Sequence, residues 1–432
     1  MPFRIPNSKK IILGFDRIIV ACLCISFFCI PFAKAGVETF IWIAIFLWAL
    51  KRAFGYRAQA GWGMLPATEL NKALGVFILA NIVSVVFSTH FGLSLRGLFG
   101  KELKFILIYF MLVETITSRK RLKVILTVII ASASLMVIDA AVQYYGGRDF
   151  LRGHAWARLS ASFSSANGFA GWLIIITPLI SGLLWTDKFI SRWMKVLLSV
   201  LFVLLITCLL MTYTRGAWLG FIIGILLIGW YIFKNFNLRI KLLCLFLSVG
   251  LLAIFFISPQ FTRKLLETTG DASFRTGITL KARFESMVKT SGGSTSVRLN
   301  LWAEGLNIVK DYPLTGCGLN AYSQVGKRYK KSQEGGGYPH NSYIQMAAEI
   351  GLLGLFAFLW VLYNFFRMGV MYFKKTKNYL VLGLLSGILA FLIHAFFDTH
   401  LYSLQLVVLF WFMLGLSVSI MKLEDNSFPA PS

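Results

Sequence analysis

Residues 335–354 read GGGYPHNSYIQMAAEIGLLG. A glycine-rich polar segment ends at Pro339, His340 follows, and Asn341 or Ser342 is placed to cap a helix that runs through Glu349 into a long apolar stretch. The change from polar to apolar is abrupt, and it divides a chain that is otherwise greasy. Hydrophobic residues make up 57% of 432 and charged residues 14%, with a mean hydropathy of +0.72. That balance lies far outside soluble domains. Apolar runs long enough to cross about 30 Å of hydrocarbon recur along nearly the whole sequence. They lie near 11–30, 37–50, 73–88, 102–117, 124–145, 168–186, 196–213, 216–233, 242–258, 344–366, 379–396 and 402–420. The expected fold is therefore all-α, a polytopic membrane protein of about twelve transmembrane helices.

The first run has a basic start and ends near AKA at 33–35, features of a cleavable secretory signal. Because a second span follows almost at once, an uncleaved first helix is expected. Orientation follows from the basic residues beside short loops. With the N-terminus inside, RIPNSKK, KRAFGYR, SRKRLK, DKFISRWMK, KNFNLRIK and FKKTKN all fall on the cytoplasmic side. The other side receives the short connections at 31–36, 89–101, 146–167, 213–216 and 397–401. It also receives one long loop. The expected division is nine spans in 1–258, a large external loop with amphipathic helices in 259–343, three spans in 344–420 and a cytoplasmic tail at 421–432.

The long segment carries twelve Lys and Arg residues against six Asp and Glu. A long loop translocates despite such charge, and the excess fits an anionic ligand or anionic lipid headgroups. The net charge of +25 is a weaker clue, since much of it is ordinary positive-inside surplus; no nucleic-acid partner is expected. Five of the six cysteines fall in expected spans and Cys317 alone lies in the loop, so no disulfide framework is available there. Cys22 and Cys24 point to different sides of a helix with no histidine near, and no metal site is expected.

Within the loop, STSVRLNLWAEGLNIVKDYP (294–313) reads as an external amphipathic helix with Leu299, Trp302, Leu306 and Val309 on one stripe and Pro313 closing it. The glycines of LTGCGLNAY then turn the chain. Each ionisable residue near a span admits two readings. Arg215 interrupts two apolar runs; it either snorkels at a hairpin turn or holds a ligand. Arg298 is either a solvated charge or part of a site. His340 stands at a helix N-terminus that favours anions, as a structural or a catalytic group. Asp398 either pairs with a cation or orients a neighbour.

Four blocks shift that balance: RLSASFSSANGFAGWL (158–173), TRGAWLG (214–220), VRLNLWAEGLNIVKDYPLTGCGLNAY (297–322) and YPHNSYIQMAAEIGLLGL (338–355). In this order and spacing they resemble the O-antigen ligase and polymerase superfamily of bacterial envelope glycosyltransferases, over about residues 155–420. The last two blocks are the specific part. In the first, Ala161 and Ala166 stand where the family usually shows glycine and proline. The resemblance implies a GT-C type helical enzyme that moves a glycan from undecaprenyl diphosphate to an acceptor at the periplasmic face of the inner membrane. A ligase uses a lipid A-core hydroxyl; a polymerase extends a glycan; a protein oligosaccharyltransferase uses a protein hydroxyl. The short tail after 420 favours the ligase. The residues implied are His340, Arg215 and Arg298 as catalytic, with Asp398, Asn341, Trp302, Tyr338, Arg158 and Asn167 around them binding substrate.

Chemistry supports those roles. The diphosphate is a good leaving group whose charge needs stabilising, and a guanidinium fork meets phosphate oxygens in pairs. The acceptor hydroxyl must lose a proton, which a neutral imidazole can take. No paired carboxylates, DxD-like motif or Walker loop stands in the external segments, so neither metal, cofactor nor nucleotide is expected. A transporter is the rival outside this class, but carriers bind near the midplane between repeated halves, and no internal repeat is visible. The topology is open to test: a reporter fused after Lys377 is expected in the cytoplasm and one near Gly336 outside it, and two reporters in one compartment would overturn the orientation.

Overall fold

The computed structural model describes residues 8–57, 65–155, 158–186, 191–233, 294–330 and 337–424. Among them the secondary structure is entirely helical. The helices are α1 (Ser8–Cys29), α2 (Lys34–Arg57), α3 (Asn71–Val86), α4 (Phe91–Gly97), α5 (Leu103–Thr115), α6 (Arg119–Gly146), α7 (Ala166–Leu184), α8 (Arg192–Met211), α9 (Arg215–Phe233), α10 (Ser294–Asp311), α11 (Tyr322–Val325), α12 (Ser342–Thr376), α13 (Tyr379–His394) and α14 (Leu404–Glu424). A π turn at Leu98–Glu102 joins α4 to α5. Among the described residues six helices are long and apolar enough to cross a membrane, and three shorter apolar ones accompany them. Every expected span except 242–258 coincides with a helix; that one, with most of the first part of the long loop, lies outside the described residues. Large apolar side chains such as Phe46, Leu79, Val203 and Leu226 are exposed on helix flanks, as lipid-facing surfaces are.

Lipid offers no hydrophobic gain for helix association, so close backbone approach must supply it. Helix α13 uses that device on two sides. A Cβ added at Gly383 would sit 2.5 Å from Pro178 O and one at Gly387 2.6 Å from Ile175 O, both on α7. Toward α9, Cβ atoms at Gly220 and Gly224 would strike the Ala390 and Ser386 carbonyls. The three helices thus pack backbone against backbone.

The bundle has two distinct ends. Buried Gln405, at the start of α14, donates to Ile30 O and Pro31 O in the α1–α2 turn, so that turn shares an end with the α13–α14 connection. At the far end, about 20 Å away along α1, Lys51 bridges Asp16 and Glu114 at 2.6 Å each. Arg52 and Arg121 complete that cluster at 2.6 and 3.1 Å, tying α1, α2, α5 and α6 together. Removing one member would strand a buried charge.

Helix α12 is not continuous. Gly351 has φ 70° and ψ 179°, a conformation essentially closed to other residues. The backbone groups the break releases are taken up by the chain after α10: Cys317 N donates to Ala348 O (2.9 Å), Gly318 N to Glu349 O (3.0 Å) and Leu352 N to Pro313 O (2.9 Å). The glycines of TGCG are needed for this approach, since Gly316 and Gly318 have φ 73° and 117° and a Cβ at Gly316 would meet Glu349 backbone. The sequence reading of α10 is corrected here. Leu299 and Leu306 are exposed, and the buried face is Leu301, Glu304, Gly305 and Ile308.

Gly351→Ala is expected to cost at least about 1–3 kcal/mol from backbone strain alone, with further cost from the collision with Leu314 O. Gly75→Ala, on α3 with open space around it, is expected to be neutral or mildly stabilising. Thermal unfolding in detergent compares the two; equal midpoints would remove the break from the account.

Candidate functional site

The N-termini of α7, α9, α12 and α14 and the C-terminus of α13 meet at one end. Helix α12 begins as the sequence indicates: Asn341 Oδ1 accepts from Tyr343 N (2.9 Å) and Ile344 N (3.1 Å), a side-chain cap for two orphan donors. Immediately before it, His340 has φ 47°. A non-glycine residue in the left-handed region is held there by its surroundings. Those surroundings are the α13–α14 connection. Ser342 N donates to Ala395 O (2.9 Å) and Ser342 Oγ to Asp398 O (2.9 Å).

This tie sets His340 Nδ1 3.0 Å from Asp398 Oδ1. The carboxylate is shared: Oδ2 accepts from Asn167 Nδ2 at 2.7 Å and Oδ1 from Thr399 N at 2.8 Å. Burial pushes the Asp398 carboxyl up, but the hydrogen bond from His340, the His400 and His340 imidazoles and the Asn167 amide outweigh it and hold it well below the usual carboxylate range. An ionised Asp398 can only accept, so His340 Nδ1 carries the proton and Nε2 offers a lone pair. The His340 side chain is 39% exposed against 12% for Asp398, leaving one face open.

Beyond Asn167 the network continues. Arg158 Nη2 donates to Asn167 Oδ1 (3.3 Å), Thr212 O (2.6 Å) and Thr214 Oγ1 (2.7 Å), and its Nε to Thr212 O (2.8 Å). The α8–α9 corner is thereby braced from the segment that leads into α7. Arg215 is the first residue of α9, next to Thr214 in that corner, and is half-buried. Arg298 lies in the first turns of α10. Its charge reaches His400, whose pKa is lowered to about 4 by burial first, against the opposing pull of Asp398, then by Arg298 and His340. Trp302 packs edge-on against Phe396, with centroids 5.3 Å apart, and Tyr338 stacks on Tyr322 at 6.0 Å.

The residues expected from the sequence therefore gather around the two loops, with Asp398 linking His340 to Asn167. Thr212 and Thr214, which hold the geometry, were not expected, because a backbone carbonyl and a small hydroxyl leave no pattern; Ser342, read as an alternative cap, instead ties α12 to the α13–α14 connection. Two further groups were also missed. His394 and His400, both buried, meet at 2.9 Å (Nδ1 to Nε2) beneath the loop. Their places in HAFFDTH, on either side of Asp398, were the available signal. Among the described residues no cluster of three or more His, Cys, Asp or Glu side chains could hold a metal ion.

The fold and this constellation define a multi-pass helical membrane protein with a carboxylate-oriented histidine at one end, beside arginines. Residues 200–359 match the family model described as O-antigen ligase, a likeness that supports the resemblance carried by the motifs. The matched stretch includes Arg215, Arg298, Trp302, Tyr338, His340 and Asn341, while Arg158, Asn167 and Asp398 lie outside it. An uncharacterized protein of Haemophilus influenzae is 26% identical over 174 residues, 38% of this chain and 40% of the relative. The match thus spans less than half the length of that curated relative.

Buried neutral His400 makes stability pH-dependent. The unfolded chain protonates this residue near the ordinary 6.5 while the native state waits until about 4, so below 6.5 the unfolded state binds more protons. Stability from this group is full above about 6.5 and is lost toward pH 4, by up to about 1.4 kcal/mol per unit. Thermal midpoints between pH 7 and 4.5 should fall in the wild type and fall less in His400→Phe. Parallel slopes would refute the assignment.

Proposed function

We propose that this chain is a glycosyltransferase of the O-antigen ligase type. It takes a glycan from undecaprenyl diphosphate and places it on a hydroxyl of the lipid A-core oligosaccharide, at the periplasmic face of the bacterial inner membrane. The observation that carries the reading is the His340–Asp398 pair at the end of the bundle where Arg215 and Arg298 are placed. The family match supports the class of reaction, ligase or polymerase type, and within that class the ligase branch with its lipid A-core acceptor is the reading we put to test.

In this mechanism His340 Nε2 takes the proton of the acceptor hydroxyl as its oxygen attacks the anomeric carbon. The bond from that carbon to the diphosphate oxygen breaks, its electron pair leaves with undecaprenyl diphosphate, and the anomeric centre inverts. Asp398 holds the imidazole tautomer and stabilises the imidazolium that forms, the logic of an acid-oriented base. Arg215 and Arg298 stabilise charge on the leaving diphosphate. Tyr338 and Trp302 line the approach, the fully buried Asn341 caps the helix that starts beside His340 rather than meeting substrate, and Asn167 with Arg158 keeps the carboxylate in place. The diphosphate linkage supplies the free energy, without nucleotide hydrolysis.

The test is reconstitution of purified protein with undecaprenyl-diphosphate glycan and rough lipopolysaccharide. His340→Ala should lose roughly 10²- to 10⁴-fold in rate while retaining donor affinity. Arg215→Lys and Arg298→Lys should fail nearly as badly as the alanine variants, because a point charge does not reproduce a bidentate fork. Transfer to a glycan repeat but not to lipid A-core would identify a polymerase, and no transfer to any acceptor would sink the enzyme reading.

A further inference from the structure

Beneath Asp398 lie two imidazoles that the mechanism above does not use. His394 ends α13 and His400 opens the short helical turn before α14; their rings meet at 2.9 Å with centroids 4.2 Å apart. Both are buried, at 1% and 3% exposure. The surroundings leave room for these rings. A Cβ at Gly171 of α7 would lie 3.5 Å from His400 Nε2, and one at Gly216 of α9 would lie 3.0 Å from His394 Cδ2. On its other side His400 stacks on Phe391, centroids 5.8 Å apart and planes 28° from parallel.

The hydrogen bond between them spans six residues of chain, and Asp398 is inside that span. The same segment supplies Ala395 O and Asp398 O to Ser342, so three contacts fix where the carboxylate points. Two apolar side chains would fill the space but would not register the loop, since dispersion contacts are non-directional while a hydrogen bond is directional. A buried imidazole left without its partner would carry an unmet polar group, so the pair is stable only together.

We propose that the His394–His400 pair is a positioning clasp that holds the Asp398 carboxylate against His340 for proton transfer. This rests on the transferase reading of the same site. The charged and titratable groups facing the clasp are Asp398 on the loop, Arg298 from α10, Arg158 from the segment before α7 and His340 ahead of α12. Arg298 and His340 disfavour a positive charge on His400, against the pull of Asp398, so His400 is neutral. Its Nε2 lies 2.9 Å from Nδ1 and 3.3 Å from Nε2 of His394, so it meets the face of that ring, with the planes 64° apart.

If the clasp is broken, Asp398 drifts from His340, and the imidazolium loses the anion that stabilises it. Activity should then fall and its acidic limb should move to lower pH. The experiment compares wild type, His400→Phe, His400→Gln, Asp398→Asn and His400→Phe/Asp398→Asn in the reconstituted transfer assay, with thermal unfolding as the folding control. Phenylalanine keeps the stack on Phe391 and deletes the hydrogen bond; glutamine restores a donor and acceptor. His400→Phe is expected to lower kcat roughly 10-fold, as loss of an orienting partner does, with both KM values little changed and the acidic limb shifted in the same direction as in Asp398→Asn. His400→Gln should recover part of the rate, and the double variant should be no slower than Asp398→Asn alone.

Histidine-labelled NMR gives a readout that needs no turnover, because the chain has five histidines. The His340 ring signals should change position in His400→Phe as they do in Asp398→Asn, reporting the altered carboxylate contact. A folded wild type that transfers no glycan would end the transferase reading, and the NMR signals would then decide the clasp by themselves. An unmoved acidic limb, unmoved His340 signals or full additivity in the double variant would reduce the pair to packing.

Discussion

A membrane-spanning helix cannot leave backbone groups unpaired, and the break at Gly351 makes that constraint the pivot of this fold. Because the chain reverses its dihedral there, Ala348 O and Glu349 O need donors and Leu352 N needs an acceptor. The segment after α10 supplies all three through Cys317, Gly318 and Pro313. Further contacts are built on this junction. Glu349 Oε2 accepts from Asn320 N at 2.7 Å, Ser84 Oγ donates to Glu349 O at 2.8 Å, and Thr89 N donates to Cys317 O at 3.2 Å. The part of α12 before the break is thus fastened to α3 and to the loop that carries α10. His340 and Asn341 stand at the head of that short segment, so their placement derives from a backbone accounting problem several residues away.

The candidate site has the opposite character, side chains rather than backbone. One carboxylate, Asp398, receives hydrogen bonds from His340 and Asn167, which belong to segments far apart in sequence. A buried carboxylate is expensive unless its lone pairs are occupied, and here the occupants are also the chemistry. The arginine side of the network works differently. Arg158 gives its donors to Thr212, Thr214 and Asn167, which sets the corner from which Arg215 begins α9. Polar groups are therefore arranged in two layers, with bracing behind and reactive groups in front.

Much of this was legible in the sequence. Apolar runs marked the helices because bilayer thickness imposes a length, and Asn341 announced its cap because the residue type and the following apolar run are diagnostic. His340, Arg215 and Asp398 stand out because charges beside spans are few, whereas Arg298, one of twelve basic residues in the long loop, is picked out only by the resemblance of its motif. The break at Gly351 was not legible, since a glycine in an apolar helix also serves simple close packing. The inward face of α10 was misread because a buried Glu304 and Gly305 replace the apolar residues that a periodicity count looks for. The histidine pair was hidden for a similar reason: partnership across a loop depends on how the chain closes, and no local pattern encodes that closure.

The glycine faces of α13 bear on how such a protein lives in membranes of different thickness. When hydrocarbon thickness and helix length disagree, spanning helices tilt or slide, each at modest cost. Side-chain-cushioned contacts can absorb such motion, whereas carbonyls set against glycine Cα atoms cannot, because the fit exists in one register. Helices α7, α9 and α13 therefore tilt as a single post. Asn167, Arg215 and the root of the Asp398 loop stand on the three ends of that post, so a change of lipid moves these groups together and leaves the distances among them intact.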